Sequence, residues 1–208
     1  MTRFALLAAL TFAAAPSVAA QSAGIGVVRL ASSHELVHQI TGVELRVGGS
    51  VVGSPIALRL GFGRLSGDHD RTGSTCSGLV EPGMCPPEPL RDETHFTRGR
   101  GELAVALLQS GRSSLGLVGG LVVGRLGSDT EGLTSGKRIS ADKTVWGADI
   151  GGEGRWFFSS VVPVGLEAAF SIGRLNPARN SGIADGYTPF ERSFGFTRLR
   201  VGVVLELP

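Results

Sequence analysis

Lysine is almost missing from this 208-residue chain, which contains only Lys137 and Lys143. Soluble domains usually carry a dense mixture of Lys, Arg, Glu and Asp on their surface, so this scarcity argues against an ordinary water-exposed surface. The formal net charge is only +2, whereas a nucleic-acid-binding protein needs a strongly basic patch. We therefore expect no nucleic-acid partner.

Long apolar runs are also scarce. The sequence has one, and it lies near the N-terminus. Arg3 precedes an apolar run from Phe4 to Ala15, and small residues follow at Ser17, Ala19 and Ala20. This order is typical of a secretory signal peptide. We predict a signal peptide over residues 1–20 and one domain over residues 21–208. No later segment has the 18 or more apolar residues that a helical membrane span requires.

Cysteine occurs only at Cys76 and Cys85, within the segment CSGLVEPGMC. In an exported protein, an even number of cysteines in one loop favours a disulfide that closes that loop. The spacing does not match a zinc knuckle, which needs closer cysteine pairs and more ligands. We therefore predict a disulfide between these two residues.

Glycine, by contrast, is abundant at 32 residues, and it accompanies a clear alternation of residue types. In IALRLGFG (56–63), large apolar residues alternate with small or charged ones. A period of two indicates a strand with one apolar face. A first strand is predicted near 24–32, and similar alternation occurs in GVELRV, GELAVALL, LGLVGGLVVGRL, TVWGADIGGEGRWFF, VGLEAAFSIGRL and the C-terminal segment 198–207. Most of these runs approach the ten residues of a tilted membrane-spanning strand.

The connections between the predicted strands alternate in length. Short turns are predicted at 48–54, 109–114 and 159–160, and long polar loops at 66–94, 127–143 and 176–192. Short turns at one end and long loops at the other are typical of outer-membrane barrels. We predict an all-β fold, an eight-stranded antiparallel up-and-down transmembrane β-barrel with short periplasmic turns and long extracellular loops.

In these strands and connections, the chain resembles the small eight-stranded bacterial outer-membrane β-barrel proteins, the class around the OmpA transmembrane domain and OmpX. The resemblance covers the region after residue 20. It implies an outer-membrane location, contact with outer-membrane lipid and insertion by the barrel assembly machinery. For such a barrel we expect a structural or surface-interaction role, with an extracellular ligand at the loops. The resemblance carries no catalytic signature, and we predict no cofactor.

Charged residues at the strand positions that alternate with the large apolar ones are predicted to lie inside the barrel. They are Arg59, Glu102, Asp149, Glu153, Arg155 and Glu167. The interior of an eight-stranded barrel is just wide enough for its own side chains, so we expect these charges to form ion pairs and leave no wide pore. A soluble periplasmic carrier calyx, which has the same strand period with the apolar face inward, stays open as an alternative.

Aromatic residues indicate two interfacial girdles. Trp156, Phe157 and Phe158 precede a short turn. A second group lies toward the long loops: Phe62, Phe96, Phe170, Phe194 and Phe196. Aromatic residues are enriched at both membrane interfaces, so we predict that both groups face outward.

The segment HELVH (34–38) matches a zinc-protease motif. In a helix, His34 and His38 would bind zinc and Glu35 would activate water. Ser32 and Glu35 form a capping-box pattern, and Gly42 would end such a helix. However, no third ligand is evident, and position 44, where the extended motif has His, is a glutamate.

We therefore predict no catalytic or metal site in this chain. Two interpretations of the segment stay open as alternatives: zinc binding by His34 and His38 with Glu35 as the base, and an envelope lipid- or peptide-acting enzyme that uses Ser32, His34, Glu35 and His38 in the first loop.

Overall fold

The computed structural model describes residues 18–34, 37–51, 53–74, 87–158, 164–178 and 192–207. They form eight strands: β1 (Val18–Ser32), β2 (Gln39–Val51), β3 (Ile56–Gly73), β4 (Glu88–Ser110), β5 (Ser113–Gly132), β6 (Arg138–Phe157), β7 (Val164–Pro177) and β8 (Phe194–Leu207). Within those ranges, no helix has the length and apolar character needed to cross a membrane.

The eight strands form a closed antiparallel barrel. Each strand pairs with the next, and β8 returns to pair with β1, for example at Ile25 and Val203. Closure pairs the two terminal strands with each other and leaves no open edge between them within the barrel wall. The predicted fold class is therefore confirmed.

The structure changes the boundaries of two predicted long loops. Much of 66–94 is strand, because β3 continues to Gly73 and β4 begins at Glu88. Similarly, β5 and β6 leave only 133–137 between them. These polar strand ends had no apolar face to reveal them in the sequence. They continue the ladder through backbone pairing and cross-strand ion pairs, such as Arg138 with Glu131 at 3.2 Å.

At the N-terminus, β1 begins at Val18, so its first three residues belong to the segment predicted to be a signal peptide. Residues 1–17 lie outside the described part of the chain.

The outer surface of the barrel is apolar over a broad central band. Leu121 is 71% exposed and Ile150 is 63% exposed, and they are accompanied by outward side chains from every strand. Charged side chains in this central band point inward. This arrangement is the reverse of a soluble calyx, whose apolar face is internal.

Several aromatic residues differ from the predicted girdles. Trp156 and Phe158 face outward near a short turn, with ring centroids 5.4 Å apart. In contrast, Phe96, Phe194 and Phe196 are buried inside the barrel toward the long-loop end, so their assignment to an outer girdle was wrong. They lie on the inward parity of their strands. There they join an apolar cluster with Val28, Leu30, Val37, Ile40, Leu65, Val122, Leu126, Val145 and Leu175.

We predict that Leu121→Arg destabilises the barrel in phospholipid vesicles, because the change places a charge on its outward apolar surface. The free energy of unfolding should fall by about 2 to 4 kcal/mol, as measured by denaturant titration. Leu133→Arg, in the connection between β5 and β6, is the matched control and should have a much smaller effect. Equal losses for both variants would contradict a lipid-facing position for Leu121.

Candidate functional site: the charged interior of the barrel

Below the apolar cluster, the interior holds an unusually dense set of charges. All of them lie on the inward parity of their strands, with side chains at most 9% exposed. The arginines are Arg46, Arg59, Arg98, Arg100, Arg155, Arg198 and Arg200; the carboxylates are Glu44, Glu102, Asp149, Glu153 and Glu167. Buried charges are tolerated only when they are paired and hydrogen-bonded, so their contacts decide whether this interior is stable.

Glu44 is the centre of the first group of ion pairs. Its carboxylate oxygens lie 2.7 Å from Nη2 of Arg98, 2.7 Å from Nη2 of Arg198 and 3.3 Å from Nε of Arg200. These arginines come from β4 and β8, whereas Glu44 is on β2. One carboxylate therefore links strands that are not neighbours in the sheet.

Glu102 and Glu153 form the second group. Arg59 Nη1 lies 2.8 Å from Glu102 and 2.5 Å from Glu153, and Arg59 Nη2 donates a second hydrogen bond to Glu153 at 2.7 Å. Arg46 Nη1 lies 3.1 Å from Glu102, and Arg100 also contacts that carboxylate. The contact between Arg59 and Glu153 supplies the two parallel hydrogen bonds that make such pairs strong.

The remaining carboxylates extend the network to β6 and β7. Asp149 accepts hydrogen bonds from Arg100 at 2.5 Å and from the Ser171 hydroxyl at 3.2 Å. Glu167 contacts Arg46 and Arg200, and lies 3.1 Å from Arg155. Through these residues, the charges form one connected network.

Glycine makes room for these long side chains. A Cβ at position 120 would lie 2.6 Å from Nε of Arg100, closer than real Cβ atoms approach other atoms. The Arg100 side chain therefore occupies the space next to the backbone of Gly120. This contact gives a local physical reason for glycine on the inward parity of β5.

The structure places all six charges predicted from the sequence inside the barrel. It brings Arg59 together with Glu102 and Glu153, and Arg155 together with Glu167. Sequence reasoning did not select a further six members: Glu44, Arg46, Arg98, Arg100, Arg198 and Arg200. The signal was available, because in VELRV and RGRGE the charged residues share one parity. Their partners could not be read from it, since most ion pairs join distant strands.

The described residues of HELVH, which are His34, Val37 and His38, lie between β1 and β2. Ser32 is the last residue of β1, its backbone N–H donates to the carbonyl of His38 at 3.2 Å, and β2 begins at Gln39. A two-turn helix running from His34 to Gly42, as the zinc alternative requires, is therefore incompatible with the start of β2 at Gln39. Gly42, the expected helix end, lies within β2.

The side chains of this connection have other contacts. The His34 ring lies 4.9 Å from that of Phe194, and the His38 ring stacks on His69 at 5.4 Å. Val37 is 1% exposed and belongs to the apolar cluster. Within the described residues, no group of three or more His, Cys, Asp or Glu residues could hold a metal.

Glu35, the base of the zinc alternative and a member of the lipid- or peptide-acting set, lies outside the described part of the chain. The Ser32 hydroxyl accepts a hydrogen bond from the backbone N–H of His34 at 2.9 Å, which is a turn contact. Cys76 and Cys85 also lie outside the described residues, so their disulfide stays a prediction.

Comparison with known proteins identifies the fold. No family model and no curated protein matches the sequence. A major outer membrane protein from Thermus thermophilus has a TM-score of 0.60 at 12% identity, covering 91% of this chain and 100% of that one. Ail, the attachment invasion locus protein of Yersinia pestis, has a TM-score of 0.52 at 10% identity, covering 90% and 98%. The chain has the fold of the eight-stranded outer-membrane β-barrels. At such low identity, the similarity to these outer-membrane barrels shows the fold alone.

We predict that Glu44→Gln strongly destabilises this barrel, because it leaves three buried arginines without the carboxylate they share. The free energy of unfolding should fall by about 3 to 5 kcal/mol, measured by denaturant titration of the refolded protein. Glu131→Gln, which breaks a pair with the exposed Arg138, should cost under about 1 kcal/mol. A loss for Glu44→Gln as small as that of the control would contradict a stabilising role for the network.

Proposed function

We propose that this protein is an integral outer-membrane β-barrel with a structural or surface-interaction role and without a wide pore. The observation that carries the proposal is that an apolar band faces outward while buried ion pairs occupy the interior. A chain with this distribution is stable when lipid surrounds it and its charges satisfy each other inside. The similarity to outer-membrane barrels supports the same location.

The ion pairs across the barrel argue against a wide pore. Arg59 on β3 meets Glu153 on β6, and Arg46 on β2 meets Glu167 on β7. In a ring of eight strands, each pair joins walls three strands apart. These side chains cross the space that a wide pore would need to keep open.

The ends of β3 to β6 support a role at the cell surface. These strands extend beyond the apolar band and carry exposed ion pairs such as Arg91 with Asp70 at 3.4 Å. Loops and strand ends held by a rigid barrel are well suited to bind an external ligand. Ail, which shares the fold, is an attachment invasion locus protein and has been crystallised with the heparin analogue sucrose octasulfate. For this chain we propose only a role at the cell surface.

This proposal carries three further expectations about the route to the membrane. Residues 1–20 direct export, the barrel assembly machinery inserts the chain, and the outer-membrane lipid surrounds it. The long-loop end, which includes Cys76 and Cys85, then faces the exterior. We expect the disulfide between these cysteines to close the loop there.

We predict that the protein expressed in a Gram-negative host is recovered with the outer membrane. Its unheated form should migrate differently from the boiled form on a gel, because the closed barrel resists detergent unfolding. In planar lipid bilayers, it should produce no large stepwise conductance. Recovery as a soluble protein with unchanged mobility would contradict the membrane location, whereas porin-like conductance steps would contradict the filled interior.

A further inference from the structure

A regular pattern of polar residues marks the long-loop edge of the outward apolar band. On every strand, the outward position there is either arginine or threonine, and the two alternate around the barrel. The residues are Arg29 on β1, Thr41 on β2, Arg64 on β3, Thr97 on β4, Arg125 on β5, Thr144 on β6, Arg174 on β7 and Thr197 on β8. All eight are exposed. We call this ring the arginine–threonine belt.

The strand register places six of the eight members of the belt directly opposite another member. Arg64 pairs with Thr97, Thr97 with Arg125, and Arg125 with Thr144, so four successive strands carry one continuous row. Arg29 pairs with Thr41 in the same way. Directly opposed residues have Cβ atoms about 4.5 to 5.5 Å apart, which lets a guanidinium and a neighbouring hydroxyl reach the same ligand.

The belt lies at a defined depth. On seven strands, the outward residue two positions toward the short-turn end is a large apolar one: Val27, Val43, Phe62, Val123, Trp146, Ile172 and Leu199. On β4, this position is Gly99. On these seven strands, the arginine or threonine therefore lies at the boundary where lipid chains give way to headgroups.

The opposite edge of the apolar band has a different composition. Its outward strand positions are uncharged: Gln21, Val51, Ile56, Leu107, Leu115, Trp156 and Leu205. The belt is therefore specific to one edge of the barrel. Because only one edge carries the belt, we expect the belt to interact with one leaflet of the membrane and not with both membrane interfaces.

The arginines of the belt differ in how far the protein already neutralises them. Arg125 lies 2.7 Å from Asp142, whereas Arg29 and Arg174 donate hydrogen bonds to the uncharged side chains of Gln39 and Ser193, each at 2.6 Å. Arg64 makes no hydrogen bond or ion pair with the described residues. Three of the four guanidinium groups thus keep a charge that no described carboxylate compensates.

Carboxylates also lie near the belt, on the outward positions above it. Asp68, Glu93 and Asp129 are directly opposed across β3, β4 and β5. His95 lies between the belt and this row, 3.9 Å from Asp129 and 3.6 Å from Asp142. An anionic ligand is therefore attracted to the level of the arginines and repelled from the level above.

We propose that the arginine–threonine belt binds the phosphate groups of anionic lipid headgroups in the leaflet at the long-loop end. Arginine presents a planar set of N–H donors that matches phosphate oxygens, and the hydroxyls of Thr41, Thr97 and Thr144 add donors between them. The Thr197 hydroxyl instead donates to the carbonyl of Ala31 at 3.4 Å. Such binding holds the barrel at one depth and in one orientation. The inference rests on the membrane location proposed above.

Native mass spectrometry of the full-length protein in detergent tests this proposal. Phosphatidylglycerol and phosphatidylcholine of equal chain length are titrated separately, and bound lipids are counted. The wild-type protein should retain phosphatidylglycerol preferentially. Arg64→Gln should weaken its binding roughly fivefold, equivalent to about 1 kcal/mol per arginine near an anionic surface. The triple change of Arg29, Arg64 and Arg174 to Gln should abolish the preference.

Arg112→Gln is the matched control, because it removes an exposed arginine from the turn at the opposite end. It should leave phosphatidylglycerol binding unchanged. Equal retention of both lipids by the wild-type protein, or equal losses for Arg64→Gln and Arg112→Gln, would overturn the belt proposal. Each protein is also run unheated and boiled on a gel. A wild-type protein without the compact unheated form would instead overturn the membrane-barrel proposal itself.

Discussion

The pairing of β1 with β8 is the interaction on which the rest of the structure depends. Without it, two strands would present unpaired backbone groups, which lipid cannot satisfy. Closure also divides every strand into an inward and an outward face, because successive side chains point to opposite sides. The apolar band, the interior charges and the polar edge of the band all follow from that division.

Closure also imposes the chemistry of the interior. Seven arginines and five carboxylates are buried in this interior, and each has an ion-pair partner on another strand, because a buried charge without a partner is costly. The shared carboxylate of Glu44 and the paired Arg59 and Glu153 connect distant walls. Each such link forms only when the strands that carry its two residues face each other across the interior. The apolar cluster at the long-loop end, which includes Val37, adds packing that is independent of these charges.

HELVH illustrates how context changes the meaning of a motif. The zinc chemistry needs a helix, because residues four apart must share a face. Here the same residues connect two paired strands, and the histidine rings contact Phe194 and His69. Val37, the least conspicuous member of the motif, has the clearest structural role among its described residues, because it is buried in the apolar cluster.

The period-two alternation and the turn residues were enough to predict the number of strands, the closed barrel and the inward position of charges such as Arg59 and Glu167. Those features are local, because parity depends only on neighbouring residues. The burial of Phe96, Phe194 and Phe196, the extra length of β3 to β6 and the partners of each charge were decided by the tertiary structure. So was the arginine–threonine belt, whose members are scattered through the sequence. The strand register makes neighbours of Arg29 and Thr41 and a continuous row of Arg64, Thr97, Arg125 and Thr144.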